Sequence, residues 1–134
     1  MSTETSPVGN IGWIDLTVPD AVEAREFYKR VVGWDAQPVE MGTYQDSCMV
    51  PPGHERPVAG ICHSRGVNAD LPPVWLIYIT VADLSASMER CRALGGEVVA
   101  GPRDLGAFGR FCVISDPAGA IAALIEPPHR NGAP

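Results

Sequence analysis

The chain has 134 residues, 46% of them hydrophobic and 19% charged, the profile of one globular domain with a core of its own rather than a disordered segment. A formal net charge of −6 on only 10 basic residues leaves no electrostatic footprint for nucleic acid or an anionic membrane. Four cysteines are widely spaced with no CxxC pair or compact Cys/His cluster, which excludes a zinc knuckle.

The opening MSTETSPVGN lacks a basic region followed by a long apolar run, and residues 1–10 are expected to be loose. No apolar stretch reaches the roughly 18 residues of a membrane-spanning helix, so the expectation is a cytoplasmic protein with reduced thiols. The first strand, IGWIDLTV, alternates. Ile14, Leu16 and Val18 line one face, expected against the following helix. Trp13, Asp15 and Thr17 line the other, where aromatic, acidic and hydroxyl groups suit a ligand.

Asp20 is a candidate N-cap and Glu23, three residues on, completes a possible capping box. Ala24, Phe27, Tyr28, Val31 and Val32 follow at helical spacing, with the aromatics expected in the core, and Gly33 ends the helix. Strands are expected near Tyr44–Val50 and Val58–His63, separated by the breaker Pro51-Pro52-Gly53. The loop 64–73 then leads to a second segment built like the first. Aligning Asp83 with Asp20 also matches Thr80 to Thr17, Val81 to Val18 and Gly96 to Gly33, the signature of an internal repeat.

In this repeat Ile77, Ile79 and Val81 oppose Leu76, Tyr78 and Thr80. Asp83 caps a helix presenting Leu84, Met88, Cys91 and Leu94, stopped by Gly95-Gly96. Strands are expected near Glu97–Ala100, Gly109–Ile114 and Ala120–Ile125, the last two separated by the turn Asp116-Pro117-Ala118-Gly119. Residues 128–134 read as a tail. The resulting division is repeat one at about 11–63, a linker at about 64–73 and repeat two at about 74–127.

VPDAVEAREFYKRVVGW, VADLSASMERCRALGGE and GRFCVISDPAGAIAALIEP occur in the order that identifies a member of the vicinal oxygen chelate superfamily, the glyoxalase, bleomycin-resistance and extradiol-dioxygenase group. Trp75, Tyr78, Val81, the run from Gly95 to Pro102 and the run from Gly109 to Ala120 resemble a glyoxalase-like or hydroxylase-like subgroup. The resemblance implies an α+β fold of two tandem βαβββ units forming a curved mixed sheet cup. It also implies a homodimer, and in many relatives a divalent metal chelated by vicinal substrate oxygens.

The metal positions of the family fall here on Trp13, Leu76 and Ala123, with a fourth in Val58 to Ile61. None supplies a useful donor. A one-residue shift moves a side chain to the opposite sheet face and restores nothing. Neither a metal nor another cofactor is therefore expected.

What remains is a surface for a small molecule: Trp13, Asp15, Thr17, Leu76, Tyr78, Thr80 and Ala123, with Arg110 as a closing guanidinium. Trp13 makes an aromatic wall, Asp15 holds an amine or acts as a general base, and Tyr78 covers a ligand. Cys62 and His63 are sequence neighbours, but successive strand side chains point to opposite faces, so they do not form a nucleophile–base pair. The leading expectation is metal-independent binding of a small, partly apolar molecule for sequestration, resistance or sensing. The alternative is a divergent lyase, isomerase or hydroxylase-like enzyme using Asp15 for proton transfer, and a third reading is a structural or regulatory protein retaining only the fold.

Overall fold

The computed structural model describes residues 7–128; the loose start and the tail expected from the sequence lie largely outside these. Two compact units emerge, one spanning Trp13–Leu76 and the other formed by the chain before Trp13 and after Leu76. Their strand orders are the same. β1 (Ile11–Val18), α1 (Ala21–Val32), β2 (Asp35–Glu40), β3 (Gln45–Val50) and β4 (Ala59–His63) arrange as β2-β3-β4-β1. β5 (Trp75–Thr80), α2 (Leu84–Ala93), β6 (Glu97–Asp104), β7 (Arg110–Ser115) and β8 (Ile121–Glu126) arrange as β6-β7-β8-β5. In each unit the first strand pairs parallel to the last, and the remaining pairs are antiparallel. The α+β class and the βαβββ repeat stand as the sequence implies.

In the first unit Leu16, Ala21, Met49 and Ile61 form a buried cluster, with Ala24, Tyr28, Trp34 and Trp75 packed on it. Each large side chain buried this way contributes roughly 1.5–3 kcal/mol. Trp75 faces this core: its Nε1 donates to the Tyr28 hydroxyl at 3.1 Å, and its ring lies edge-on to Tyr28 and Trp34. Asp20 accepts from the Glu23 amide at 3.0 Å, capping α1, and Gly33 closes the helix at φ 91°, a left-handed conformation open to glycine. The helical spacing overstated the apolar face. Phe27, Val31 and Val32 are exposed, because the sheet beneath accommodates only the stripe through Ala24 and Tyr28.

β2 was not expected from the sequence. Asp-Ala-Gln-Pro-Val-Glu has no apolar alternation, and Pro38 is tolerated because this is the edge strand of its unit.

In the second unit Leu84, Met88, Cys112 and Leu124 are buried together, and Asp83 caps α2 by accepting from the Ala86 amide at 3.1 Å. Leu94 is 75% exposed rather than part of this core, since it stands at the C-cap, beyond the last helical turn facing the sheet. β6 runs past Ala100 to Asp104. Register shifts between Val98 and Ala100, and between Ala100 and Arg103, carry the strand through Gly101-Pro102. Gly9 and Asn10 bond to Thr80 at 2.8 and 2.9 Å, which ties the segment before β1 to this unit.

Candidate functional site

The polar face of the first unit is built by register. Asp15 pairs with Gly60 and Thr17 with Cys62 across the parallel β1–β4 ladder, while Cys48 pairs with Gly60 across β3–β4. Because directly opposed residues share a face, Trp13, Asp15, Thr17, Cys48, Gly60 and Cys62 form one surface. Leu16, Ile61 and Met49 point the other way, into the core against α1.

Within this surface Trp13 Nε1 donates to Asp15 Oδ1 at 2.5 Å, a charge-assisted bond that fixes the indole and the carboxylate together. The carboxylate lies directly over Gly60. A Cβ there would crowd Asp15 Oδ1 and stand 3.3 Å from its Cγ, so any larger residue would require the carboxylate to move. Thr17 is 3% exposed, and its Oγ1 is the one buried side-chain polar atom among the described residues that has no hydrogen-bond partner. Leaving such a hydroxyl unbonded costs about 1–3 kcal/mol.

Burial, followed by the charges of Asp15 and Asp46, pushes the Cys62 thiol far above its ordinary range. Burial and Asp15 act in the same sense on Cys48. Both thiols therefore stay protonated at neutral pH, opposite to what a nucleophilic cysteine needs. Asp46, not Cys62, is the partner of His63: its Oδ1 accepts from the His63 amide at 2.8 Å and lies 3.2 Å from Nδ1. Tyr44 packs edge-on to His63, and the Arg65 guanidinium sits 4.2 Å over the Tyr44 ring.

Of the residues expected to meet a ligand, Trp13, Asp15 and Thr17 share this surface. Leu76, at the end of the first unit's chain, is buried. In the second unit Tyr78 pairs with Ala123, which pairs with Val113, and the Tyr78 ring lies 5.8 Å from that of Phe111. Tyr78, Thr80, Ala123, Val113 and Phe111 are all buried, and apart from the two hydroxyls this is an apolar layer.

Arg110 is placed otherwise than expected. It pairs with Glu126, three residues from Ala123, and so lies on the opposite face from Tyr78. Its Nη2 is 3.5 Å from Glu126 Oε1, the same oxygen that accepts from the Leu84 amide at 2.7 Å. Arg110 thus supports the start of α2 and does not close over an anion at the Tyr78 face.

Gly60, Cys48 and Cys62 were missed as site residues. The available signal was a glycine inside a strand, which marks a close approach by another group.

The positions at which the superfamily carries metal ligands hold Trp13, whose Nε1 is a donor already given to Asp15, and the hydrocarbon side chains of Leu76 and Ala123. Among the described residues no three His, Cys, Asp or Glu side chains gather where they could hold a metal ion. The donor set does not fit a divalent metal.

The family model for the Glyoxalase/Bleomycin resistance protein/Dioxygenase superfamily matches residues 10–124. The putative glyoxylase CFP32 of Mycobacterium tuberculosis is 31% identical over 126 residues, covering 94% of this chain and 47% of that protein. The anthracycline biosynthesis protein DnrV of Streptomyces peucetius is 32% identical over 127 residues, 87% of this chain and 46% of its own length. The chain thus spans about half the length of the curated relatives it matches. Among solved structures, methylmalonyl-CoA epimerase from Mycobacterium tuberculosis superposes with a TM-score of 0.53 at 22% identity, covering 98% of this chain and 96% of that one. A Staphylococcus aureus protein superposes at 0.52 with 18% identity, over 89% and 99% of the two chains. At these identities the structural likeness is one of fold.

Proposed function

As the chain belongs to the Glyoxalase/Bleomycin resistance protein/Dioxygenase superfamily, we propose that it serves that fold's small-molecule chemistry without a metal, binding a small, partly apolar molecule on the Trp13–Asp15 face. The observation that carries this reading is the replacement of metal donors by an indole locked to a carboxylate over Gly60. An indole supplies flat apolar area for a ring, and a carboxylate supplies directed acceptors for a polar edge. The relatives named for anthracycline biosynthesis support an aromatic ligand. Within this reading the protein acts as a cytoplasmic homodimer, and its free thiols are compatible with a reducing compartment.

Equilibrium dialysis against an anthracycline, in EDTA and again with added zinc, nickel or iron, tests the proposal. Saturable binding unchanged by EDTA and lost in Trp13→Ala supports it. Binding that requires a bound divalent metal refutes it. The carboxylate held by Trp13 also favours a second reading, proton transfer by Asp15 to or from a bound substrate. Turnover abolished by Asp15→Asn with binding retained distinguishes that reading from passive binding.

A further inference from the structure

The Trp13–Asp15 face makes no use of His63, which closes β4 within the first unit. Asp46 Oδ1 accepts from the His63 amide at 2.8 Å, so the same oxygen, 3.2 Å from Nδ1, acts as acceptor there too. Nδ1 therefore carries the ring proton, and the lone pair of the neutral imidazole stands on Nε2. Asp46 is 4% exposed, which holds the pair in place. Nε2 makes no hydrogen bond among the described residues, yet it is not sealed as Thr17 Oγ1 is, and the His63 side chain keeps 15% of its surface. The lone pair is open to a molecule arriving from solvent.

The next residues supply a cation. The Arg65 amide donates to the His63 carbonyl at 2.8 Å, a tight turn that returns the guanidinium to 4.2 Å over the Tyr44 ring, itself 5.4 Å from the imidazole. Arg65 is exposed and makes no ion pair among the described residues.

We propose that His63 is a general base acting through Nε2, with Asp46 as its positioning residue, and that Arg65 draws in a substrate carrying an anionic group. Water is the proton donor at hand, and an ester carbonyl is an electrophile that water so activated attacks, so the substrate class is an anionic ester. Nε2 takes a proton from water as the water oxygen bonds to the carbonyl carbon. The ester C–O bond then breaks, and the leaving oxygen departs as an anion or takes the proton back from the imidazolium. Asp46 stabilises that imidazolium while it exists. This activity is independent of the ligand face proposed above.

Two probes of equal length test it: the 4-nitrophenyl ester of adipic acid with its other carboxyl free, and the same ester with that carboxyl methylated. Release of 4-nitrophenolate above the rate in buffer is the readout. The free acid is expected to have a kcat/KM about tenfold above its methyl ester, and Arg65→Gln to bring it down to the methyl ester's level. His63→Gln lowers hydrolysis about a hundredfold, and deuterium oxide slows the unaltered protein about two- to threefold. Asp46→Asn keeps an acceptor oxygen and removes the charge. It lowers the rate about tenfold with the tautomer retained, whereas a merely structural pair would leave the rate unmoved.

Nitrogen-15 spectra of the imidazoles, with His63 assigned by His63→Gln, read the tautomer directly and are expected to show Nε2 unprotonated in mildly alkaline solution. A proton on Nε2 overturns the inference. So does the absence of hydrolysis above buffer, a full rate in His63→Gln, no slowing in deuterium oxide, or equal rates on the two esters. The tautomer, the isotope effect and the preference between esters are all read on the unaltered protein, so they decide the matter even if His63→Gln weakens the fold.

Discussion

Replacing Gly60 by alanine puts a methyl carbon hard against Asp15 Oδ1, 3.3 Å from its Cγ and 3.5 Å from Trp13 Cζ2. The last distance is ordinary contact; the crowding at Oδ1 requires the carboxylate to leave. Its departure breaks the 2.5 Å bond from Trp13 Nε1, a charge-assisted interaction whose loss costs about 1.5–3 kcal/mol. Alanine is otherwise compatible with the strand at this position, and Gly→Ala then stabilises by about 0.4–1 kcal/mol through the unfolded chain. The net expectation for Gly60→Ala is a loss of about 0.5–2.6 kcal/mol. In an Asp15→Ala background the obstructing carboxylate is gone, and the same substitution should be neutral or stabilising by up to about 1 kcal/mol. Urea unfolding of the four proteins of this cycle, followed by far-ultraviolet circular dichroism, measures the coupling directly. An equal penalty for Gly60→Ala in both backgrounds would refute the argument, because the tight contact would then lie elsewhere than at Asp15.

Asp20→Ala and Asp83→Ala each remove a helix N-cap and should cost about 1 kcal/mol in urea unfolding, additively because the helices they cap lie in different units. Glu126→Ala should cost more than Arg110→Ala, since it strips the Leu84 amide of its acceptor as well as the guanidinium of its partner; thermal melts of the two variants rank them. Burial pushes the Cys112 thiol from its ordinary 9.0 up to about 11, and Cys62 moves in the same direction. Below pH 9 both states keep the proton. Above it the unfolded chain releases a proton that the folded protein retains, so stability should fall as pH rises from 9 through 11. Urea midpoints at pH 8.5 and 10.5 check this, and Cys112→Ala should reduce the drop.

Much of the fold was legible because its signals are local. The alternation of Ile14, Leu16 and Val18 against Trp13, Asp15 and Thr17, and the caps at Asp20 and Asp83, depend only on nearby residues. β2 and the far half of β6 were not legible, since an edge strand containing Pro38 and a strand bent through Gly101-Pro102 have no period to detect. The same boundary runs through the site. Parity within β1 put Trp13 and Asp15 on one face, but the reason for Gly60 lies in which residue it opposes, and pairing register is not written in either strand alone. The side of the sheet on which Arg110 lies was illegible for the same reason. Its side of the sheet follows from pairing with Glu126, which lies in the strand after the Asp116–Gly119 turn.

The two caps of α2 also set an order of events during synthesis. Asp83 is available as soon as the helix emerges, but the Leu84 amide waits for Glu126, which is made 42 residues later. At roughly 5–20 residues per second that is a delay of about 2–8 s. α1 has no such wait, for its Asp20 cap and Gly33 stop are both within its own turn of chain. Residues 9 and 10 meanwhile await Thr80. The growing chain therefore completes its first helix early, ties down residues 9 and 10 once Thr80 is made, and leaves the start of its second helix unfinished until β8 arrives.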